Sequence, residues 1–375
     1  MNHRPHFTVS VILMLAMILM PVAGASAGPS NDGEVSFADY ELIGTINFPT
    51  GYMFAGTQMG GLSSITYDAS RGVFYAISDD QSVINPARYY TLSLDLADGQ
   101  LDPGDITFLD VTTLLDESGQ PYAPASFDPE GLVLARPGFL FHSSEGIALR
   151  GINPFVNRYN LDGEFTKAAP VPFKFLPIGG TQGVRQNYGF ESLNVTPDRR
   201  FLYTASEGAL VQDGPAANIG VSSNARILQY DLNKLRPGSE YVYVVDPVVD
   251  VPIPPTQFRV NGLVELLPLD NAGTMLALER SFSVGVGNTV RLYQIQTQEA
   301  TDVSGHFALP ASFVPVSKEL ILDVQDDLGI VPDNLEGMAF GPALPDGRLP
   351  LILVSDNNFD PAAVTQFIVL AVTLE

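Results

Sequence analysis

A short unit recurs five times along this chain, and no other feature restricts the fold as much. Each copy is a turn bearing glycine or glutamate, a short apolar strand, a second turn, a second apolar strand and then an acidic residue. The copies open around Gly61-Leu62-Ser63, Pro129-Glu130-Gly131, Phe190-Glu191-Ser192, Leu263-Val264-Glu265 and Leu335-Glu336-Gly337, and they close on Asp79, Glu145, Glu207, Glu279 and Asp356. From the leading position to the closing acid the spacing is 16 residues in the first copy (Ser63 to Asp79), 15 in the second (Glu130 to Glu145) and 16 in the third (Glu191 to Glu207). A spacing that regular belongs to a repeated hairpin.

Further β-rich segments follow the copies: Arg88–Leu96 and Ile106–Thr112, Asn157–Leu161 and Val171–Leu176, Arg226–Leu232 and Tyr241–Val245, Val290–Ile295 and Glu319–Val324. The fifth copy has only Thr365–Thr373 before the chain ends, and Tyr40–Phe48 stands ahead of the first with no partner. The expected fold is all-β: one propeller of five four-stranded blades, with Tyr40–Phe48 closing the ring beside Thr365–Thr373. A six-bladed ring is the alternative.

The first 27 residues read as an export signal rather than as part of that fold. Arg4 is followed by the apolar run Val11 to Met20 and by Ala25-Ser26-Ala27, the small-x-small pattern of a cleavage site. The run is too short to span a bilayer. The expectation is a propeller domain over residues 28–375, periplasmic or extracellular, off the membrane after cleavage and monomeric. With 42 acidic against 19 basic side chains and a formal charge of −23, nucleic acid is an unsuitable partner. The absence of cysteine removes thiolate metal sites and cysteine nucleophiles.

In a four-stranded antiparallel blade, the start of the first strand and the end of the second lie at the same edge. The repeat therefore gathers Glu130, Glu191 and Glu336 on one face with Asp79, Glu145, Glu207, Glu279 and Asp356, around the channel mouth. Such crowding needs compensation. Oxygen-only donors suit Ca²⁺, or else Mg²⁺, and Asn357 beside Asp356 adds a further oxygen, although Ser355 to Asn358 also reads as an Asx turn. Alternatively, Arg88, Arg158, Arg226 and Arg291, which begin the third strands, could latch the acids within their own blades. Arg185, in the loop before Glu191, and Arg280, beside Glu279, are candidates to meet an anion. Glu265 is one residue out of phase with the other leading glutamates and is expected to face away from them. His142 reads as a core histidine.

Serine-hydrolase and phosphate-loop signatures are missing. The stretches Asp128-Pro129-Glu130-Gly131, Gly189-Phe190-Glu191-Ser192-Leu193, Leu278-Glu279-Arg280-Ser281-Phe282, Asn334-Leu335-Glu336-Gly337-Met338 and Val354-Ser355-Asp356-Asn357-Asn358-Phe359 resemble the phytase-like domain family, described as "esterase-like activity of phytase". The resemblance covers residues from about 55 to 372 and implies an exported bacterial propeller acting on phosphoesters; Ser63, where other copies carry glutamate, departs from it. Three functions stand at this point. One is a Ca²⁺-dependent phosphoester hydrolase acting on a small anionic substrate, with Glu191 and Glu336 as ligands or general base, Glu130 beside them, and Arg185 or Arg280 stabilising charge. The second is a Ca²⁺-dependent lactonase or esterase propeller. The third is a non-catalytic binding or scaffold propeller held by acid–arginine latches.

Overall fold

The computed structural model describes Met1 and residues 35–375, so the expected signal segment lies, apart from Met1, outside the described residues. Contacts divide the chain into residues 1–31 and a compact unit of residues 32–375. Within the second unit, five four-stranded antiparallel sheets form the blades of a propeller, with a small ribbon, Met53–Phe54 with Thr57–Gln58, ahead of the first. The first strands of the blades are Leu62–Asp68, Pro129–Arg136, Phe190–Val195, Arg259–Pro268 and Asn334–Phe340. These touch one another in cyclic order, and the fifth closes against the first, so they form the wall of the central channel.

The outer strand of the fifth blade is Phe37–Pro49, antiparallel to Val364–Leu374 with pairs such as Thr45 opposite Ile368. This is the seam expected from the sequence, extended at its N-terminal end. One strand expectation fails: the fourth strand of the second blade is Phe165–Ala169, while Val171 to Leu176 is a connection with a single 3₁₀ turn. Val171 follows Pro170, and Pro172 breaks the run again, so its apolar residues pack without a ladder.

The core is divided in five, each part filling the gap between two neighbouring blades. Between the fifth and first blades, for example, Ile43, Leu62, Phe74, Tyr90, Ile352 and Phe367 are buried together. Alternation puts one face of every blade into one such gap and the other face into the next. His142 is fully buried in the second blade, near Tyr89 and Tyr159. Burial depresses its pKa to about 3, so it stays neutral as a core residue, as expected.

Every inner strand carries one extra residue relative to its partner, at the same place. Leu62 pairs with Ser78 but Ser64 with Ile77; Leu335 pairs with Ser355 but Gly337 with Val354; the other three blades shift likewise. The inserted positions are 63, 130–131, 191–192, 264 and 336. A bulge of this kind re-aims the side chain it carries.

One layer beneath lie Ser64, Gly131, Ser192, Glu265 and Gly337. The inner strands approach so closely there that a Cβ on Gly131 would stand 2.5 Å from the Leu193 side chain, and one on Gly337 2.9 Å from Ser64 Cα. Glu265 is the exception in size. Its carboxyl accepts from Ser64 Oγ of the first blade at 3.0 Å and from the Leu193 amide of the third at 3.3 Å, so it crosses the channel and floors it. The expectation that Glu265 faces away is therefore corrected: the bulge at Val264 resets the alternation and turns it to the axis. Burial holds its carboxyl well above the usual range, against the hydrogen bonds it accepts from Leu266, Ser64 and Leu193.

Two outcomes follow for stability. Deleting residues up to Phe48 strips Ile43, Ile46 and Phe48 from one inter-blade core and Leu42 from another, and should lower Tm by roughly 10 °C or abolish soluble expression. Glu265→Gln replaces the buried carboxyl by a near-isostere and should cost under about 1 kcal/mol in urea unfolding, whereas Glu265→Ala leaves buried donors unpaired around a void and should cost about 3 kcal/mol.

Candidate functional site at the channel mouth

The bulges turn Glu130, Glu191 and Glu336 into the mouth of the channel, above the Glu265 floor. Acids at the ends of the second strands meet them there because their backbones are tied to the start of the first strands: the Asp79 amide donates to Gly61 O, Glu145 to Asp128 O and Glu207 to Gly189 O. Glycine is required at this approach. A Cβ on Gly262 would stand 2.2 Å from the Glu207 side chain, and one on Gly189 2.2 Å from the Glu145 carbonyl.

The result is a cavity of about 510 Å³. Ten carboxylates line it, those of Asp79, Asp128, Glu130, Glu145, Glu191, Glu207, Asp333, Glu336, Asp356 and Asp360. A single basic side chain, Arg280, faces them among the described lining residues. The Arg280 guanidinium donates to Glu336 at 2.8 Å and stands 3.5 Å from Glu207. Asn334 Nδ2 bridges Glu336 and Asp356 at 2.9 and 3.2 Å. Across the mouth, single carboxylate oxygens of Asp128, Glu130 and Glu145, all buried, lie within 4.8 Å of one another. Asp128 Oδ2 has no hydrogen-bond partner among the described residues, and neither has Asp79 Oδ1.

Crowding carboxylates around one guanidinium in a half-enclosed space penalises their charged forms. Burial, then repulsion from neighbouring acids, holds Asp79, Glu130, Glu145 and Glu191 well above the usual carboxylate range. Burial lifts Asp128 to about 6 and Glu207 to about 7; burial and then Glu336 lift Asp356 to about 8. For Arg280, burial alone would lower the pKa, but Glu336, Glu207 and Glu191 more than reverse it and keep the cation.

The structure thus brings together Glu130, Glu191, Glu336, Arg280, Asp79, Glu145, Glu207, Asp356 and Asn357 from the sequence-derived set, and two members fall elsewhere. Arg185 donates to the carbonyls of Ala209 and Gly214 and tethers a loop. Glu279 turns away from the mouth, where it accepts from Tyr243 Oη at 2.7 Å and Asn261 Nδ2 at 3.0 Å and pairs with Lys318. Asn357 Oδ1 accepts from the amides of Gly61 and Phe359, and Asp356 Oδ1 from Asn358, which is Asx-turn geometry at the cavity rim.

The within-blade latch is also corrected. Arg88 pairs with Asp80 rather than Asp79, Arg226 with Asp213 and Glu240, and Arg291 with Asp323, while Arg158 bonds Thr166 and lies over Phe139. These arginines serve loops and strand edges, leaving the mouth to Arg280 alone. Asp128, Asn334 and Asp333 were missed by sequence reasoning. Asp128 carried a usable signal, since it stands two residues before Glu130 and its carbonyl takes the Glu145 amide.

Residues 57–359 match the family described as "Phytase-like: Esterase-like activity of phytase". The chain belongs to this phytase-like family. An "Uncharacterized secreted protein" of Arthroderma benhamiae is 28% identical over 184 residues, 43% of this chain and 35% of that one, so the match spans about a third of the relative's length. Two solved structures are similar in part. The "Dos1 propeller" has TM-score 0.34 at 8% identity, covering 84% of this chain and 69% of that one. A "thermostable family-43 glycoside hydrolase" has TM-score 0.47 at 10% identity, covering 84% and 94%.

The carboxylates predict a sign for the pH dependence of stability. A raised folded-state pKa means the folded chain holds protons that the unfolded chain has lost, so stability falls as pH rises toward the folded value. Between pH 6.5 and 8, above the range in which His142 contributes, Glu207 and Asp356 together should cost the chelator-treated protein roughly 2 kcal/mol. Urea midpoints across that range check it; Asp79, Glu130, Glu145 and Glu191 add to the loss in the same direction, and Asp356→Asn should reduce the slope.

Proposed function

We propose that the channel mouth is the active site of a metal-dependent phosphoester hydrolase, with Ca²⁺ as its ion. The observation that carries this reading is the convergence of Asp128, Glu130 and Glu145, three buried carboxylates with Asp128 Oδ2 unpartnered. This donor set fits a hard divalent cation: the donors are oxygens, and they lie in an environment that otherwise forces them to bind protons. Asp128, Glu130 and Glu145 would hold the ion, with Asp79, Glu191 and Asp356 within the same cavity. Bound there, a divalent cation would offset part of the ring's charge and act as a Lewis acid toward an ester oxygen.

The chain's own groups take the remaining roles. Arg280 keeps its charge between Glu336 and Glu207 and offers N–H donors to phosphoryl oxygens as negative charge builds on them. Glu336 and Asn334 hold the guanidinium in place, through contacts of 2.8 and 2.9 Å at the Glu336 carboxylate. Burial and the neighbouring acids hold the Glu191 carboxyl well above the usual range and Arg280 opposes them; a cation in the cavity would favour its ionised form, in which its carboxylate would be the general base that accepts a proton from the attacking water. The Glu265 floor closes the channel beneath, so substrate and product use the one mouth. The scaffold reading is weaker because the latches it needs are spent on Asp80, Asp213, Glu240 and Asp323, away from the mouth. A lactonase would favour a more neutral pocket than one with ten carboxylates.

We also propose that the chain is exported, with cleavage after Ala27 and residence in the periplasm or the medium. The Val11 to Met20 run and the secreted relative support this. Among the described residues no helix is long and apolar enough to cross a membrane.

In the test of function, the purified protein is stripped with chelator and assayed on phosphomonoesters. Calcium should raise Tm by several degrees, and activity should require it. Glu130→Gln should abolish the Tm gain. Glu191→Gln should keep the gain and lower kcat by about a hundredfold or more. Calcium binding without cleavage of any phosphoester would leave a scaffold; cleavage of a lactone or carboxylic ester instead would move the reaction class.

A further inference from the structure

The cavity wall is not acidic all the way round. On the side of the fourth blade three apolar side chains stand beside Arg280 and Asn288, and the local sequence explains why. Arg280 and Phe282 are two apart on one strand and so face the same way, and Val260 is the register partner of Phe282 on the inner strand. Val260, Phe282 and Phe258 all line the cavity that holds the carboxylates and Arg280. The rings of Phe258 and Phe282 lie 6.2 Å apart, tilted at 41°.

Phe258 precedes the inner strand and is 62% exposed, yet its loop is fastened. The Val284 amide donates to Phe258 O at 3.1 Å and the Ile253 amide to Val284 O at 2.8 Å. Ser283 Oγ donates to Asp250 O at 2.6 Å, and Thr289 Oγ1 to Asp250 Oδ2 at 2.9 Å. A large apolar ring is thus held open at the rim of a polar cavity, where the core makes little use of it. Beside it, on the same strand as Phe282, stands Arg280, the one cation among the described lining residues. A wall with a guanidinium deep in the site and two phenyl rings toward the rim is complementary to an amphipathic anion.

We propose that this wall sets the substrate class: phosphomonoesters of alcohols carrying an aromatic or bulky apolar group, in preference to phosphates of polyols. The phosphoryl group lies toward Arg280 and the acids, and the apolar part of the alcohol lies against Phe258 and Phe282. In hydrolysis the oxygen of water bonds to phosphorus, the ester P–O bond breaks, and the alcohol leaves with a proton, yielding inorganic phosphate. A polyol placed against the two rings would lose water from its hydroxyls, with Asn288 beside Phe282 as one replacement partner for several hydroxyls, which is the origin of the discrimination. The inference rests on the hydrolase reading.

The test compares phenethyl phosphate with glycerol 3-phosphate in calcium. Both are esters of primary alcohols, so the leaving groups differ little. The wild-type chain should favour phenethyl phosphate by about tenfold or more in kcat/KM. Phe258→Ser should collapse that ratio about tenfold at unchanged Tm, and Phe258→Leu should restore part of it. A wild-type preference for glycerol 3-phosphate, or a Phe258→Ser variant that lowers both substrates in proportion, overturns the proposal. If neither ester is cleaved, the hydrolase reading has failed and binding decides the wall by itself. Calorimetry should then show phenethylphosphonate binding more tightly than ethylphosphonate, with the advantage lost in Phe258→Ser. Equal affinities, or no binding of either, overturn it.

Discussion

One extra residue in each inner strand governs this molecule. A regular hairpin would bury the leading glutamates alternately with their neighbours between blades, where a carboxylate is costly. The bulge lifts residues 63, 130–131, 191–192, 264 and 336 out of the ladder at the level where the channel opens. Everything at the mouth depends on that displacement: the acids face one another across the axis, and the next layer down must be glycine, serine or, once, a glutamate long enough to cross it. Glu265 and the bulges are two parts of one arrangement, because close approach of the inner strands leaves room for a single large side chain at that depth.

The mouth is electrostatically unfavourable by construction. Its acids gain little from the rest of the protein: Arg280 reaches Glu336 and Glu207, and Asn334 bridges Glu336 to Asp356. Arg88, Arg226 and the half-buried Arg291 are engaged by Asp80, Asp213, Glu240 and Asp323. Protons compensate in the chain by itself, and a cation would do so more strongly. The arginines the fold already contains do not neutralise this cluster, and that is the ground for the proposed cation site.

The closed ring holds this arrangement rigidly. Each blade is gripped on both faces by its neighbours, and the last gap is sealed by the Phe37–Pro49 strand, which contributes Ile43 to one core and Leu42 to the next. Carboxylates that repel one another would relax outward on a mobile scaffold. Here the strands that carry them cannot move without opening an inter-blade core.

The sequence by itself determined the propeller architecture, the seam and the face on which acids gather, because these follow from a repeated hairpin and from the two-residue alternation of strands; the closed ring decided between five blades and six. It also placed Glu130, Glu191, Glu336 and Arg280 together, since strand ends at one edge of a blade are local facts. Only the tertiary structure decided which way Glu265 points, that Arg185 tethers a loop, that Glu279 is satisfied by Lys318 and Tyr243, and that Asp128 completes a cluster with Glu130 and Glu145. A one-residue bulge reverses the parity on which such inferences rest and leaves no mark in composition. The partners of buried charges come from loops distant in the chain, brought near only when the ring closes. The apolar wall of Phe258 and Phe282 belongs to the same class: aromatic residues in a loop and at a strand end acquire a meaning only from the cavity beside them.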